Sequence, residues 1–516
     1  MGSFAEINGK YIELHANQGI STHEDDEKDQ EARVDLLAEF SSVKVQYSGS
    51  SPKVKKGLLG SAKTILRDSK SVIKHPRKLK WVFFSTARFE NLLVRLKELI
   101  DYLHEILDDQ QLRAIYKTTQ NTYLEMLQIR GTIKELKELI EAVKPLNFSG
   151  LEDADDRAQE DQVLQLAKFK VAAFTLSEEI TGGRVVVSEF PRSTFTFDNS
   201  NPLEGPVSAA LKNGASDKRV WVEWKEIKDP DCEALSGATE SLDRIKELAA
   251  LLSLDKPTEF RAAKCLGYID GRQDQQAQGQ FGMVFEIPQY ERARGDPISL
   301  LKAIKHHARP SLSNRVCLAH KISSCVFYLH SVNWLHKGLR SQNILCFANA
   351  SENKLESPYL IGFEYARPAR IDEVTEATPV SADRELYRHP NIQGSDAESR
   401  QYYRKTFDIY SLGIILLEIA LWKSIDEIIG ITDIESVSPK VTFGVRESLL
   451  QDESSVLKDI RACVGDMFYE AVRACLVGAD AFGIGATDQE TSAETGAKLQ
   501  ERFRMEVLDK IGSISV

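Results

Sequence analysis

Residues 336–343 read His-Lys-Gly-Leu-Arg-Ser-Gln-Asn, gathering an imidazole, two cations and two carboxamides into one short stretch. Read for proton or phosphoryl transfer, the octet lacks one group: Gly338 has no side chain to accept a proton from a hydroxyl. Nearby carboxylates that might substitute are Glu364, in the triplet Gly362-Phe363-Glu364, and Asp372. Upstream, Lys225 closes the alternating run Val220-Trp-Val-Glu-Trp-Lys225, and Glu247 lies in a helical stretch. The seven cysteines are scattered, odd in number and form no Cys-x-x-Cys pair, which fits thiols in a reducing cytosol and argues against a disulfide framework or a zinc site.

Elements of ordinary type must position these residues. Ser324 to Leu335 reads as the end of an apolar helix turning into the octet. Ile344 to Phe347 is a short strand, and Tyr359 to Glu364 follows after a polar turn. Ile409 to Trp422 is an apolar run interrupted only by Glu418. It is too short to span a bilayer and reads as a buried helix. Nearer the start, Val220 to Lys225 is expected as a strand and Glu240 to Leu252 as a helix with Leu248, Leu251 and Leu252 inward. Gly282 to Pro288 reads as a strand leading into a connector, and Tyr469 to Leu476 as another core helix.

The order of these landmarks resembles a protein-kinase domain over residues 195–512. His336 and Asn343 have the spacing of the catalytic loop His-Arg-Asp-Leu-x-x-x-x-Asn, with Gly338 at the aspartate base. Gly362-Phe363-Glu364 falls where such a domain has Asp-Phe-Gly. Asp408-Ile-Tyr-Ser-Leu-Gly413 matches the start of the long buried helix, and Tyr387-Arg-His-Pro390 with Asn391 stands at the close of the activation segment. The resemblance implies an α+β bilobal fold, with the first lobe at about 190–288 and the second at about 289–512. It further implies a vestigial nucleotide site at Lys225, Glu247 and Asn343, and structural roles for His336, Phe363 and Asp408. Lys225 and Glu247 also read as a solvated strand lysine and a surface glutamate.

The resemblance equally implies lost chemistry. Phosphoryl transfer rests on positioning and on metal ions that neutralise phosphate charge. Arg340 stands where a kinase has lysine, the base is Gly338, the magnesium-binding acid is Gly362, and no Gly-x-Gly-x-x-Gly precedes Lys225. No catalytic residue, metal ligand or cofactor is therefore assigned. Glu364 is one candidate substitute ligand, and ATP could bind without magnesium. The expectation is a pseudokinase.

The N-terminal third has a different texture. Residues 81–143 carry apolar residues every three or four positions, predicting one helix over 81–107 and a second over 109–143 that bury their stripes in a bundle. Lys78-Leu-Lys-Trp81-Val-Phe-Phe84, then Arg88-Phe89-Glu-Asn-Leu-Leu93, resembles the second half of a fungal HeLo domain, the helical bundle of prion-inhibition and cell-death proteins. Residues 1–50 are polar and acidic, unlike the apolar start of such domains, so the bundle is placed at 51–148 and taken as incomplete. An acidic linker follows at 149–162, ahead of a kinase-like domain at 163–516.

Lys53, Lys55, Lys56, Lys63, Arg67, Lys70, Lys74, Arg77, Lys78 and Lys80 form a dense cationic stretch. It could dock on anionic lipid, at about 1 kcal/mol per basic residue, or pair with the chain's own acidic segments. A net charge of −11 argues against general nucleic-acid affinity. The sequence thus predicts a multidomain, cytoplasmic signalling or scaffold protein with protein partners, its HeLo-like bundle coupling it to fungal incompatibility or cell death. A residual ATP-dependent kinase and a lipid-docking effector at the membrane periphery are the alternatives.

Overall fold

The structure is a computed structural model. It describes residues 123–128, 132–143, 154–181, 187–198, 206–212, 217–226, 245–271, 280–288, 297–349, 354–363, 367–368, 381–394, 403–434, 436–451, 455–485 and 488–515. The chain divides into Met1–Thr64 and Ile65–Val516, and every described residue belongs to the second unit. The basic stretch at 53–80 and the helix expected at 81–107 lie outside the described residues.

Three helices open the described part: α1 (123–128), α2 (Ile133–Val143) and α3 (Ala154–Thr181). The single helix expected over 109–143 is therefore not continuous, because a new one begins at Ile133. Thr132 caps it: Glu135 N donates to Thr132 Oγ1 at 3.2 Å and Thr132 N donates to Glu135 Oε2 at 3.3 Å. These two bonds satisfy donors that helical periodicity alone leaves orphaned. Residues 154–162, expected as linker, are the first turns of α3. Their acidic composition is compatible with helix because Asp155 and Asp156 fall at its positive end.

A five-stranded antiparallel sheet follows, from β1 (Phe195–Phe197), β2 (Val207–Leu211), β3 (Lys218–Glu226), β4 (Cys265–Asp270) and β5 (Gln280–Glu286), in the order β1-β2-β3-β5-β4. Alternation along β3 sends its side chains to two different cores. Val220 and Val222 join Ala209, Ile269 and Val284 in a small outer cluster, while Trp221 joins Met283 and Phe285 in the main core. Helix α4 (245–253) buries Ala249 and Leu252, with Leu248 and Leu251 packed at the core's edge.

The remainder is largely helical. After β6 (Pro297–Ser299) come α5 (Leu300–His306) and α6 (Leu312–Ser331), then β7 (Trp334–Leu335), β8 (Ile344–Asn349), β9 (Lys354–Leu360) and β10 (Arg367–Pro368). Strands β6, β8 and β9 form one small sheet, and β7 pairs with β10. Helix α7 (Lys405–Leu421) is buried from Lys405 to Ala420 and runs through the centre of this part. Trp422 at φ 54° terminates it, and the Arg309 and Arg315 guanidiniums bind the Ala420 carbonyl, where cations suit a helix C-terminus. Around it pack α6, α9 (Ser455–Val464) and α10 (Asp466–Val477), with α8 (Pro439–Leu450) and α11 (Ala493–Phe503) outside. Among the described residues no helix is long and apolar enough to cross a membrane.

Candidate functional site

The octet lies between β7 and β8, in a loop whose shape is set by one buried acid. Asp408, in the first turn of α7, is fully buried. It accepts hydrogen bonds from His336 N at 2.8 Å, Lys337 N at 2.9 Å and the Tyr403 hydroxyl at 2.8 Å, and it faces His330 Nε2 at 3.3 Å. Burial opposes its ionisation. The His330 hydrogen bond and the neighbouring His330 and His336 rings outweigh burial and hold the carboxyl below its ordinary range. Two consecutive backbone amides aimed at one carboxylate require a tight turn, and Lys337 sits at φ 61° to make it. His336 Nδ1 then accepts from Gly338 N at 3.3 Å.

Asn343 closes the loop from its other end. Its Nδ2 donates to the Gly338 carbonyl at 2.7 Å, and its own carbonyl accepts from Ile361 N at 3.0 Å. The same carboxamide fills the space beside Gly362. A Cβ placed on Gly362 would lie 2.5 Å from Asn343 Cγ and 2.8 Å from Oδ1, and Gly362 has φ +75°. A side chain there is disfavoured twice, by backbone conformation and by contact with a carboxamide that would have to shift. Gly338 is different: its nearest neighbours to an added Cβ are Gly362 O at 3.4 Å, Asn343 Nδ2 at 3.6 Å and His336 Nδ1 at 3.8 Å, which is ordinary contact.

The partner of Gly362 is a residue that sequence reasoning passed over. Glu223, on β3 and 3 % exposed, accepts from Gly362 N at 3.1 Å and from Trp221 Nε1 at 3.4 Å. A carboxylate thus bridges the sheet to the turn after β9. Its signal was in the sequence, a charge on the inward parity of the apolar run Val220-Trp-Val-Glu. The nearby lysine drew the assignment instead. Lys225 lies two positions further along β3, its backbone opposite Phe281, and its side chain is outside the described residues. Glu247 is exposed on α4 and so does not share the buried cluster of Asn343 and Glu223. Glu364 and Asp372 lie outside the described residues.

Phe363 is buried and packs against the His336 ring at 4.6 Å and Trp334 at 5.8 Å. Strand β9 ends at Leu360, and Gly362 at φ +75° turns the chain after it. Arg340 is engaged by Asp383 at 3.0 Å. Ser341 bonds the Tyr387 hydroxyl at 2.7 Å, and that hydroxyl donates to Glu418 Oε1 at 2.7 Å, which also accepts from Ile425 N at 2.8 Å. Burial pushes the Glu418 carboxyl up to about 7 despite these donors. Tyr387 therefore ties the octet to α7, a role invisible in its sequence context, while Asn391 beside it is exposed.

Asn343, Arg340 and Ser341 of the octet thus make internal contacts, and the two positions at which acid chemistry was sought are glycines. Among the described residues no group of three or more His, Cys, Asp or Glu side chains is arranged to hold a metal ion.

Comparison with known proteins gives two partial matches. A search of curated proteins found no match for the chain. Residues 275–511 match DUF7580, a domain of unknown function. Residues 3–139 match the HeLo model, described as prion-inhibition and propagation, which extends the likeness across the acidic residues 1–50 that composition sets apart and makes the N-terminal part of this chain similar to HeLo domains.

Proposed function

We propose that this chain is a non-catalytic signalling scaffold in which a HeLo-type segment is joined to a kinase-like domain without phosphotransfer activity. The HeLo match supports the coarser half of this reading, signalling of the fungal cell-death or incompatibility type. The kinase-like half rests on the order of landmarks: an antiparallel sheet, a connector at 287–288, the octet held by an acid in the first turn of a long buried helix, and a Gly-Phe turn plugged by Phe363.

One observation carries the absence of catalysis. The position that would present a metal-binding acid is Gly362, whose side-chain space is taken by Asn343 and whose amide is bound by Glu223. A carboxylate buried at that point repels phosphate oxygens where transfer would require cations to neutralise them. Removal of a general base alone costs a factor of about 10² to 10⁴ in rate, and here base and metal ligand are both missing.

The test is a thermal-shift titration with ATP, with and without magnesium. The expected result is no change in melting temperature in either case. A shift that requires magnesium contradicts this reading and favours a residual kinase, which further predicts that Lys225→Ala abolishes the shift.

A further inference from the structure

The HeLo match ends at residue 139 and the DUF7580 match begins at 275, yet the packing is continuous across the interval. Leu127, Leu136, Leu139, Leu166 and Phe169 share a core with Trp334 and Phe260. Two separate chains of contact run from these helices to the octet.

One is aromatic. Phe169 of α3 stacks on Trp334 with centroids 5.3 Å apart and meets Phe260 edge-on at 4.9 Å. Trp334 in turn packs on Phe363, and Phe363 on His336. The other is polar. Gln128 of α1, 6 % exposed, donates from Nε2 to Gln500 Oε1 at 2.8 Å and to the His330 carbonyl at 3.4 Å. Its backbone carbonyl accepts from Asn333 Nδ2 at 3.2 Å, and Asn333 Oδ1 accepts from Lys405 Nζ at 2.7 Å. His330 faces Asp408, the acid that holds His336 and Lys337. Lys170 of α3 donates to the Leu127 carbonyl at 2.6 Å and so pins α1 to α3. Asn333 itself sits at φ 58°, a left-handed conformation that asparagine adopts more readily than other non-glycine residues.

We propose that α1 and α3 form an intramolecular strap whose attachment holds the 336–343 loop in its closed arrangement, so that the end of the HeLo-matching segment and the octet report each other's state. The proposal rests on the scaffold reading above and adds the route by which its two halves communicate. Both routes end on one element, the loop anchored by Asp408 and plugged by Phe363, so freeing the strap removes support from both at once. Coupling of this kind is reciprocal: loosening the loop must loosen the strap by the same factor.

Hydrogen exchange on the full chain, followed by mass spectrometry without any nucleotide, tests it. Gln128→Ala removes the two side-chain bonds of the polar route while its backbone carbonyl stays on Asn333, and Phe169→Leu shortens the aromatic one, each a modest change. Leu449→Ala on α8 is the control for general destabilisation. In both strap variants, peptides covering 334–343 and 360–363 should exchange about tenfold faster or more, with β2 and β3 unchanged. The loop variant Asn343→Ala should accelerate peptides covering 123–128 and 163–176 in return. Acceleration confined to the strap peptides overturns the proposal. So does uniform acceleration that includes β2 and β3, or the same loop response in Leu449→Ala. Because no nucleotide is present, failure here leaves the ATP result standing on its own.

Discussion

Placing acids at the two glycines should have different consequences, and the asymmetry can be worked from the structure. At Gly362 an aspartate must adopt φ +75° with its Cβ 2.5 Å from Asn343 Cγ. The left-handed backbone costs about 1–2 kcal/mol, and forcing atoms into filled space adds about 1–3 kcal/mol. The new carboxylate also meets Glu223, which already occupies the Gly362 amide. A total loss of about 2–5 kcal/mol follows from those two costs. At about 2–4 °C per kcal/mol for a domain of some 200 residues, Gly362→Asp should melt roughly 4–20 °C below the parent. Gly338→Asp meets only contacts of 3.4 Å or more and lies outside the positive-φ residues, so it should stay within about 3 °C.

The assay is thermal denaturation of the full chain, with a double variant to locate the cause. Asn343→Gly in the Gly362→Asp background removes the obstructing side chain, and the two changes should couple by more than about 1 kcal/mol. Gly338→Asp should regain no phosphotransfer, because the metal ligand is still missing. If Gly362→Asp is as stable as the parent, or Gly338→Asp alone restores transfer, the reasoning about Asn343 and Glu223 is wrong.

Asp408→Ala leaves two backbone amides, a tyrosine hydroxyl and a histidine without their buried acceptor. A loss of about 3–5 kcal/mol is expected by analogy with broken buried charge networks, read as a fall in urea midpoint with unchanged slope. Two groups near the strap titrate with opposite sign. Burial lowers Lys170 from 10.5 to about 7, so its contribution to stability is complete above 10.5 and is lost as pH falls through 7. Burial, then Glu501, raises Glu125 from 4.5 to about 7, so its contribution is complete below 4.5 and is lost as pH rises through 7. Urea midpoints measured against pH should show Lys170→Met flattening the profile between 7 and 10, and Glu125→Gln flattening it between 5 and 7; curves parallel to the parent would refute both assignments. Liposomes with anionic headgroups test the basic stretch, where neutralising the lysines and arginines between 53 and 80 should abolish salt-sensitive binding if that stretch docks on lipid.

Much of the fold could be read in the residue pattern. The buried helix around Ile409–Trp422 is apolar on all sides and ends at Trp422, and the strands at 220–225, 282–286 and 344–347 alternate or run apolar as strands must. Breaks and roles were harder to see. Periodicity carried one helix through Thr132 because leucine spacing does not register a capping box, although Thr132-x-x-Glu135 spells one. Acidic residues at 152–161 looked like linker, because composition alone cannot separate a solvated loop from the charged opening of a helix. At the site, the sequence shows glycines where the kinase resemblance expects acids. What fills their place was not legible. Asn343 keeps the spacing of a ligand-binding residue while its carboxamide serves as a wedge, and Glu223 reaches Gly362 across 139 positions of sequence. Only the folded chain brings those groups together.

Phosphoryl transfer by the purified chain is the most direct test of the account. Incubated with γ-labelled ATP and magnesium, alone and with a generic protein substrate, the protein should incorporate no label above a heat-inactivated control. Labelling that scales with this polypeptide and disappears in Lys225→Ala would mean that the chain transfers phosphate despite Gly338 and Gly362.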